Sequence, residues 1–354
     1  MKRWKRWCVI MLSLVMLLSA LPCAASGETA AKKGVDVSRW QGTVNWAKVK
    51  ASGVEFAILR CFAYRKDATF EANYAGATAQ GIPVGAYVFM YATTPQSAVQ
   101  EAQNTLAALG GKALTYPLFL DVEDESVFAL TKEALTDLLL IELQMFAAAG
   151  YRVGVYCSLS HSTSEMDLSR LENCSRWIAR WTCYTTDQNK KTFTFANQDP
   201  NGSKKPDCEM WQFSNGGKGS TYGMASDYVD LDYCYVDYPA MGPCVPNEHR
   251  WNAQLTDRTC TEPGTLVLTC ADCGETRTTA YTTPAPGHTS PDENGCCTRC
   301  GADLTAPETS PEEPAEPPAE TGRVCPLCGE THRGPFGMVI LLFHTIAAYL
   351  KRLV

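Results

Sequence analysis

Between residues 34 and 232, short apolar runs alternate with helix-length segments, and the connections between them are brief. The runs fall at 34–38, 56–60, 84–90, 118–121, 153–156, 177–181, 209–213 and 228–232. Segments with helical patterning lie at 46–52, 68–80, 96–109 and 132–149, and they stop at Gly53, Gly81, Gly110-Gly111 and Gly150. A helix between two strands supplies the crossover that parallel pairing needs, so this alternation predicts a parallel sheet. Eight such strands in about 200 residues predict an α/β fold, an irregular TIM-like β/α barrel, closed or nearly closed. The later units lack clear helices, so the irregularity is expected in the second half.

In such barrels the chemistry sits at the C-terminal ends of the strands. The most informative end is Tyr116-Pro117-Leu118-Phe119-Leu120-Asp121-Val122-Glu123. Pro117 marks the strand start, and Leu118 to Leu120 read as buried strand. Residues two apart on a strand share a side, so Asp121 and Glu123 project together. Like charges that close make it costly to ionise both, and one keeps its proton near neutral pH. A proton donor beside an anion is what glycosidic cleavage requires. The alternative is that these acids open the turn after the strand and run on into the solvated Asp124 and Glu125.

The other strand ends bring Asp36, Arg60, Tyr87, Tyr156, Trp181, Gln212 and Asp230 to the same rim. Acids at three separate strand ends, with aromatic rings between them, fit a pocket for an uncharged polar ring. Asp36 has an alternative role, capping the turn before the first helix. Asp230 shares its strand end with Asp232, and only one of them need face the pocket. Trp40 and Trp46 are expected to pack, and His161 to be solvated in a Ser/Thr-rich loop.

Several of these pieces form a pattern: Gly34-Val35-Asp36-Val37-Ser38 with Trp40-Gln41-Gly42, Gly85-Ala86-Tyr87, Asp121-Val122-Glu123, Gly154-Val155-Tyr156, Trp177-Ile178-Ala179-Arg180-Trp181, Trp211-Gln212 and Val229-Asp230-Leu231-Asp232. In order and spacing they resemble the glycoside hydrolase family 25 muramidases, lysozymes of the Chalaropsis type. The resemblance implies cleavage of the β-1,4 bond between N-acetylmuramic acid and N-acetylglucosamine. It implies Glu123 as general acid and Asp121 as stabiliser of an acetamido-assisted intermediate. Asp36 and Asp230 would be the remaining pocket acids, and Tyr87, Tyr156, Trp181, Gln212 and Arg60 substrate contacts. One departure is Val88-Phe89-Met90, where the family carries an aromatic-histidine-phenylalanine pattern. Two alternatives stay open: a non-catalytic glycan-binding surface protein, and a hydrolase of another N-acetylhexosamine polymer such as chitin. Neither alternative nor the muramidase reading calls for a catalytic cofactor.

The start of the chain reads as a secretory signal over residues 1–25. Lys2, Arg3, Lys5 and Arg6 precede an apolar run at 9–21, and Cys23-Ala24-Ala25 offers a cleavage site. Without it the chain has 27 basic against 38 acidic residues, a charge of −11. Nucleic acid is not an electrostatically reasonable partner for such a chain. The expected location is extracellular or at the cell surface, with peptidoglycan as partner. Fifteen of the 17 cysteines lie beyond the signal, and export favours disulfides. The resemblance does not account for the cysteines within the barrel segment at 33–240; Cys174 with Cys183 and Cys208 with Cys234 are candidate pairs.

Beyond Pro239 the composition shifts to Thr, Pro, Gly and Cys. A cysteine-rich module is expected at 245–304. Its two CxxCG knuckles, Cys270/Cys273 and Cys297/Cys300, have the spacing of a zinc ribbon, with disulfides as the competing reading. A Pro/Glu/Thr linker follows at 305–322, then a third knuckle, Cys325/Cys328, within 323–354. Residues 336–350 place Phe336, Val339, Ile340, Phe343, Ala347 and Leu350 on one helical face. That patterning predicts a hydrophobic helix touching a membrane or the cell surface.

Overall fold

The computed structural model describes residues 30–283 except 172, 187 and 248, together with 288, 292 and 294–298. The expected signal, the 305–322 linker, the Cys325/Cys328 knuckle and the C-terminal helix lie outside the described residues. Among those described, no helix is long and apolar enough to cross a membrane.

The elements run in the predicted order. Strand β1 (Lys32–Val37) leads to helix α1 (Trp46–Ala51), then β2 (Phe56–Ala63) and the two-residue β3 (Arg65–Lys66). Helix α2 (Phe70–Ala79), β4 (Val84–Phe89), α3 (Pro95–Leu109) and β5 (Leu118–Asp121) follow. Next come the short α4 (Glu125–Phe128), the long α5 (Lys132–Ala148), β6 (Val153–Ser158) and α6 (Leu159–Ser164). The remaining barrel strands are β7 (Ser175–Cys183), β8 (Met210–Lys218) and β9 (Tyr228–Cys234), with no α-helix between them.

The sheet order is β1-β9-β8-β7-β6-β5-β4-β2, and a direct β1–β2 pairing closes the ring into eight strands. Apart from the two-residue β3, one strand breaks the predicted parallel pattern. β9 runs antiparallel to both β8 and β1. Its nine-residue connection from β8 is too short for a crossover, which takes a dozen residues or more.

Strand parity sorts the core into two. Val35, Leu59, Val88, Leu120, Val155, Ile178 and Trp211 belong to the core outside the barrel. Phe56, Ile58, Tyr87, Phe119, Tyr156 and Trp177 fill the barrel interior. Burial on both faces is why these strands read as continuous apolar runs. Two glycines make the interior packing fit. A methyl group on Gly34 would lie 2.1 Å from the Phe56 ring, and one on Gly154 2.3 Å from that of Phe119. Each small position on one strand makes room for an aromatic ring on its neighbour.

A further sheet, missed by the strand patterning of the sequence, packs outside the barrel. Strands β10 (Trp251–Thr256), β11 (Thr265–Cys270) and β12 (Thr276–Ala280) form an antiparallel meander. It docks on α5: Gln144 Nε2 donates to Ala280 O at 3.0 Å, Thr279 Oγ1 donates to Gln144 Oε1, and Trp251 Nε1 donates to Ala148 O at 3.0 Å. This explains why α5 is buried on most of its circumference, including Leu139, Leu143 and Phe146.

The chain divides after Gly287. In the second unit the described residues form a turn, in which Asp292 accepts the Cys296 amide at 2.9 Å.

Within the barrel, Cys174, Cys183, Cys208 and Cys234 are free thiols, so the two expected disulfides are absent. Cys174 precedes the nine-residue strand β7 and Cys183 ends it, a separation of roughly 25–30 Å, far beyond bridging reach. Cys234 faces the barrel interior while Cys208 belongs to the outer core.

Candidate active site

All nine residues expected on the rim line one cavity of about 270 Å³ at the C-terminal end of the parallel strands. This volume is near the lower end of ligand clefts, roughly 300 Å³, and suits a single ring held deep. A larger hollow of about 950 Å³ opens at the opposite end of the barrel, lined by Leu140, Leu143, Tyr151 and Tyr238. It holds no group of carboxyls, so the smaller cavity is where acid chemistry is available.

Strand parity aims the acids. Asp121 ends β5, pointing inward like Phe119 before it, and is buried. Glu123 lies two residues on and presents its side chain at the open mouth of the cavity. Desolvation raises the Asp121 carboxyl well above the usual carboxylate range, and Glu123 and Asp36 add to the rise. Partial loss of hydration also raises Glu123, with the nearby Tyr156 hydroxyl pulling the other way. Two acids this close make it costly to ionise both and titrate as an interacting pair. The turn-forming alternative fails because Asp124 does that work: its side chain caps α4, accepting the Ser126 amide at 2.9 Å.

Asp36 is likewise no cap. Ser38 and Gln41 form the capping box of the turn after β1. Asp36 instead points inward, opposite Asp230 in the β1–β9 ladder. Burial pushes its carboxyl up to about 7 against the opposing hydrogen bonds from Gln212 and Asp232.

Gln212 orders this side of the pocket. Its Oε1 accepts from Tyr156 Oη and from Trp181 Nε1, both at 2.8 Å, and its Nε2 donates to Asp36 Oδ2 at 2.8 Å. Two donors on one side and an acceptor on the other leave the amide a single orientation. Ladder irregularities at Ala179/Cys183 and Gln212/Ser214 coincide with the ends carrying Trp181 and Gln212. Such bulges re-aim side chains.

Arg60 lines the cavity and pairs with Asp67. Nε and Nη2 both contact Asp67 Oδ2 at 2.8 Å, with both side chains buried. Burial alone would raise Asp67, yet donors from Thr69, Arg39 and Arg60 outweigh it and hold the carboxyl below its ordinary value. Arg60 thus acts on the pocket through its charge, which lowers the Asp121 carboxyl.

Two further positions at the pocket were not distinguished in the sequence. Asp232 is fully buried beneath Asp230, accepting Trp177 Nε1 at 2.8 Å and facing Asp36 closely enough to share a proton. The i, i+2 parity that joined Asp121 to Glu123 could have found it: Asp230 and Asp232 both point inward. Phe89 lines the cavity while Val88 and Met90 are buried in the outer core, so one residue of the departing tripeptide contacts the pocket. Trp46 packs in the core as expected, but Trp40 stands 68% exposed at the cavity lip. His161 lies in α6, not in a loop, with its ring against Phe128 at 4.0 Å.

The sequence model of the glycosyl hydrolases family 25 matches residues 35–222, more than half of the chain. The chain belongs to this family. Two curated relatives fit glycosyl hydrolase family 25 membership: Lysozyme M1 of Streptomyces globisporus, 37% identical over 103 residues, and the autolytic lysozyme of Clostridium acetobutylicum, 33% identical over 94. These matches cover 27% and 26% of this chain and 34% and 28% of the relatives, so the chain spans about a third of the length of the curated lysozymes it matches. Among solved structures, it is similar to a bacterial lysozyme from Streptomyces coelicolor, with 25% identity, a TM-score of 0.45, and coverage of 59% of this chain and 94% of that one. It is also similar to the CTP1L endolysin, at 25% identity and a TM-score of 0.47, covering 59% and 68%.

Proposed function

We propose that this protein is an exported peptidoglycan hydrolase, cutting the β-1,4 bond between N-acetylmuramic acid and N-acetylglucosamine. The observation that carries the reading is the placement of Asp121 and Glu123 on one side of β5, in a cavity floored by Asp36 and Asp230. Glu123, at the open mouth, meets the glycosidic oxygen and donates its proton to the leaving sugar. Asp121, deeper, faces the sugar ring. As positive charge develops there with help from the substrate's acetamido group, it draws the ionised form of the pair onto Asp121 and leaves the proton on Glu123. The Arg60 charge, held in place by Asp67, favours the same distribution because it lowers the Asp121 carboxyl. Trp181, 46% exposed, offers its ring face to a sugar while its indole nitrogen holds Gln212.

A mere binding module has no need of a proton donor, so the retained acid pair favours catalysis. The test is to incubate the protein with purified peptidoglycan and identify the new reducing ends, beside Glu123→Gln. New N-acetylmuramic acid ends, lost in the variant, support the proposal. Capture of peptidoglycan without release identifies a binding protein instead, and release from chitin alone identifies the other polymer.

Retention at the cell surface through residues 323–354 belongs to the same proposal. Removing residues 305–354, and not the β10–β12 sheet that covers α5, tests it. Unchanged release from soluble glycan with loss from the cell fraction supports retention, and unchanged cell association overturns it.

A further inference from the structure

Only part of the four-cysteine set expected from the sequence comes together as expected. Cys270 and Cys273 share a site with His249, the three ligand atoms lying within 4.8 Å of one another. Cys297 belongs to the second unit, and Cys300 lies outside the described residues.

The local backbone explains the arrangement. Cys270 ends β11, and the chain turns through Ala271 to Gly274, whose φ of +75° suits glycine. Gly274 N donates to Cys270 O at 3.0 Å, and Cys270 N donates to Glu275 O at 2.8 Å, closing the turn. This folds Cys273 back beside Cys270, and the Asp272 amide points at the Cys270 sulfur at 3.4 Å. His249 precedes β10 and is brought alongside because Trp251 pairs with Cys270 in the ladder.

The distances suit a tetrahedral metal. With metal–sulfur and metal–nitrogen bonds of about 2.3 and 2.05 Å, sulfur and nitrogen ligands sit about 3.5 Å apart. Cys273 Sγ and His249 Nδ1 are 3.4 Å apart. The other imidazole nitrogen, Nε2, meets Glu275 Oε2 at 3.3 Å, and Arg277 Nε holds the second Glu275 oxygen at 2.9 Å. A carboxylate on the far nitrogen of a histidine is the arrangement that orients imidazoles toward metals. The His249 ring also lies against Trp251, at 4.9 Å between centroids, so it is not free to swing away.

We infer that His249, Cys270 and Cys273 form a structural zinc site, with Glu275 as the positioning residue for His249 and the fourth position on the solvent side at the exposed Cys273. Two thiolates and an imidazole select a borderline-soft cation over calcium or magnesium. The site has a structural reason to exist. β12 is exposed along its whole length, and a three-stranded sheet with so small a core gains most from a metal staple. Zinc here would tie the segment leaving the barrel to the β11–β12 hairpin.

The test measures zinc bound per chain in the full-length protein, purified with zinc and without chelator. His249→Ala and Cys273→Ser should each lose one equivalent, while Cys244→Ser, in the barrel–module connection, keeps it. Cobalt in place of zinc should show thiolate charge-transfer absorption that both variants lose. Glu275→Gln should bind zinc 10- to 100-fold more weakly, roughly the effect of removing such a partner. Cys273 is exposed, and an unchanged near-ultraviolet circular dichroism spectrum in Cys273→Ser separates ligand loss from misfolding. Equal zinc content in native and variant proteins overturns the site. So does finding Cys270 and Cys273 shielded from alkylation in the unfolded, unreduced chain, which would mean a disulfide.

Discussion

Gln212 Nε2 donates to Asp36 Oδ2 at 2.8 Å across the barrel interior, although the two residues are 176 positions apart. The bond joins β8 to β1 over the antiparallel β9 that separates them. It also fixes which side of the amide meets Tyr156 and Trp181. Replacing Gln212 by Leu removes the partner of three polar groups, two of them buried. The expected cost is about 2–4 kcal/mol, since each stranded buried group costs about 1–3 kcal/mol and Trp181 can turn to water. Urea denaturation of the two proteins measures it, and a change below 1 kcal/mol would show that the network is not holding the pocket.

Glu123→Gln keeps the shape of the side chain and removes the transferable proton. Turnover on peptidoglycan should fall about 10²- to 10⁴-fold, with binding retained. Asp121→Asn should also lose turnover, through the loss of a negative charge beside the sugar. Neither substitution should destabilise the barrel, because each removes a carboxyl whose ionisation burial opposes. Equal kinetics in native protein and Glu123→Gln would exclude Glu123 as the acid.

Buried acids with raised pKa values give the stability a defined pH slope. Asp36 rises to about 7 from roughly 3.9 in an unfolded chain, so the folded state holds more protons between those values. Stability therefore falls as pH rises from about 4 to about 7. Glu142, fully buried and raised by desolvation and by Glu101, contributes in the same direction. Thermal melts should give a higher midpoint at pH 5 than at pH 8. Glu142→Gln, which can still donate to Glu101, should flatten the slope and gain most at pH 8. A midpoint that climbs with pH over this range would contradict these shifts.

Removing Asp67 leaves the Arg60 guanidinium buried without its partner. Asp67→Ala should cost about 3–5 kcal/mol, the range for breaking a buried pair on one side. The Arg60 charge would then bear more strongly on Asp121, which it already lowers, and draw it into the ionised form. The chemical-denaturation midpoint reads the first effect. The pH profile of activity reads the second, as a shift of its limbs relative to the native protein; an unmoved profile would separate Arg60 from the acid pair.

Much of this was legible in the order of residues. Apolar runs spaced by helical segments determined the barrel, because strands buried on both faces have no polar alternation to hide. Parity along a strand was enough to put Asp121 and Glu123 on one side, and it applies equally to Asp230 and Asp232. The nine rim residues could be placed together because a closed β/α barrel brings all strand ends to one mouth. Tertiary structure decided what depends on distance between strands. Whether Asp36 caps a turn or faces Asp230 across the ladder, and which way β9 runs, are settled by neighbours remote in the chain. The same holds for the cysteines: Cys174 with Cys183 was a candidate pair, but an extended strand separates them. His249 carries no motif with Cys270 and Cys273 in sequence. It joins them because β10 pairs with β11, and that pairing is a property of the folded sheet alone.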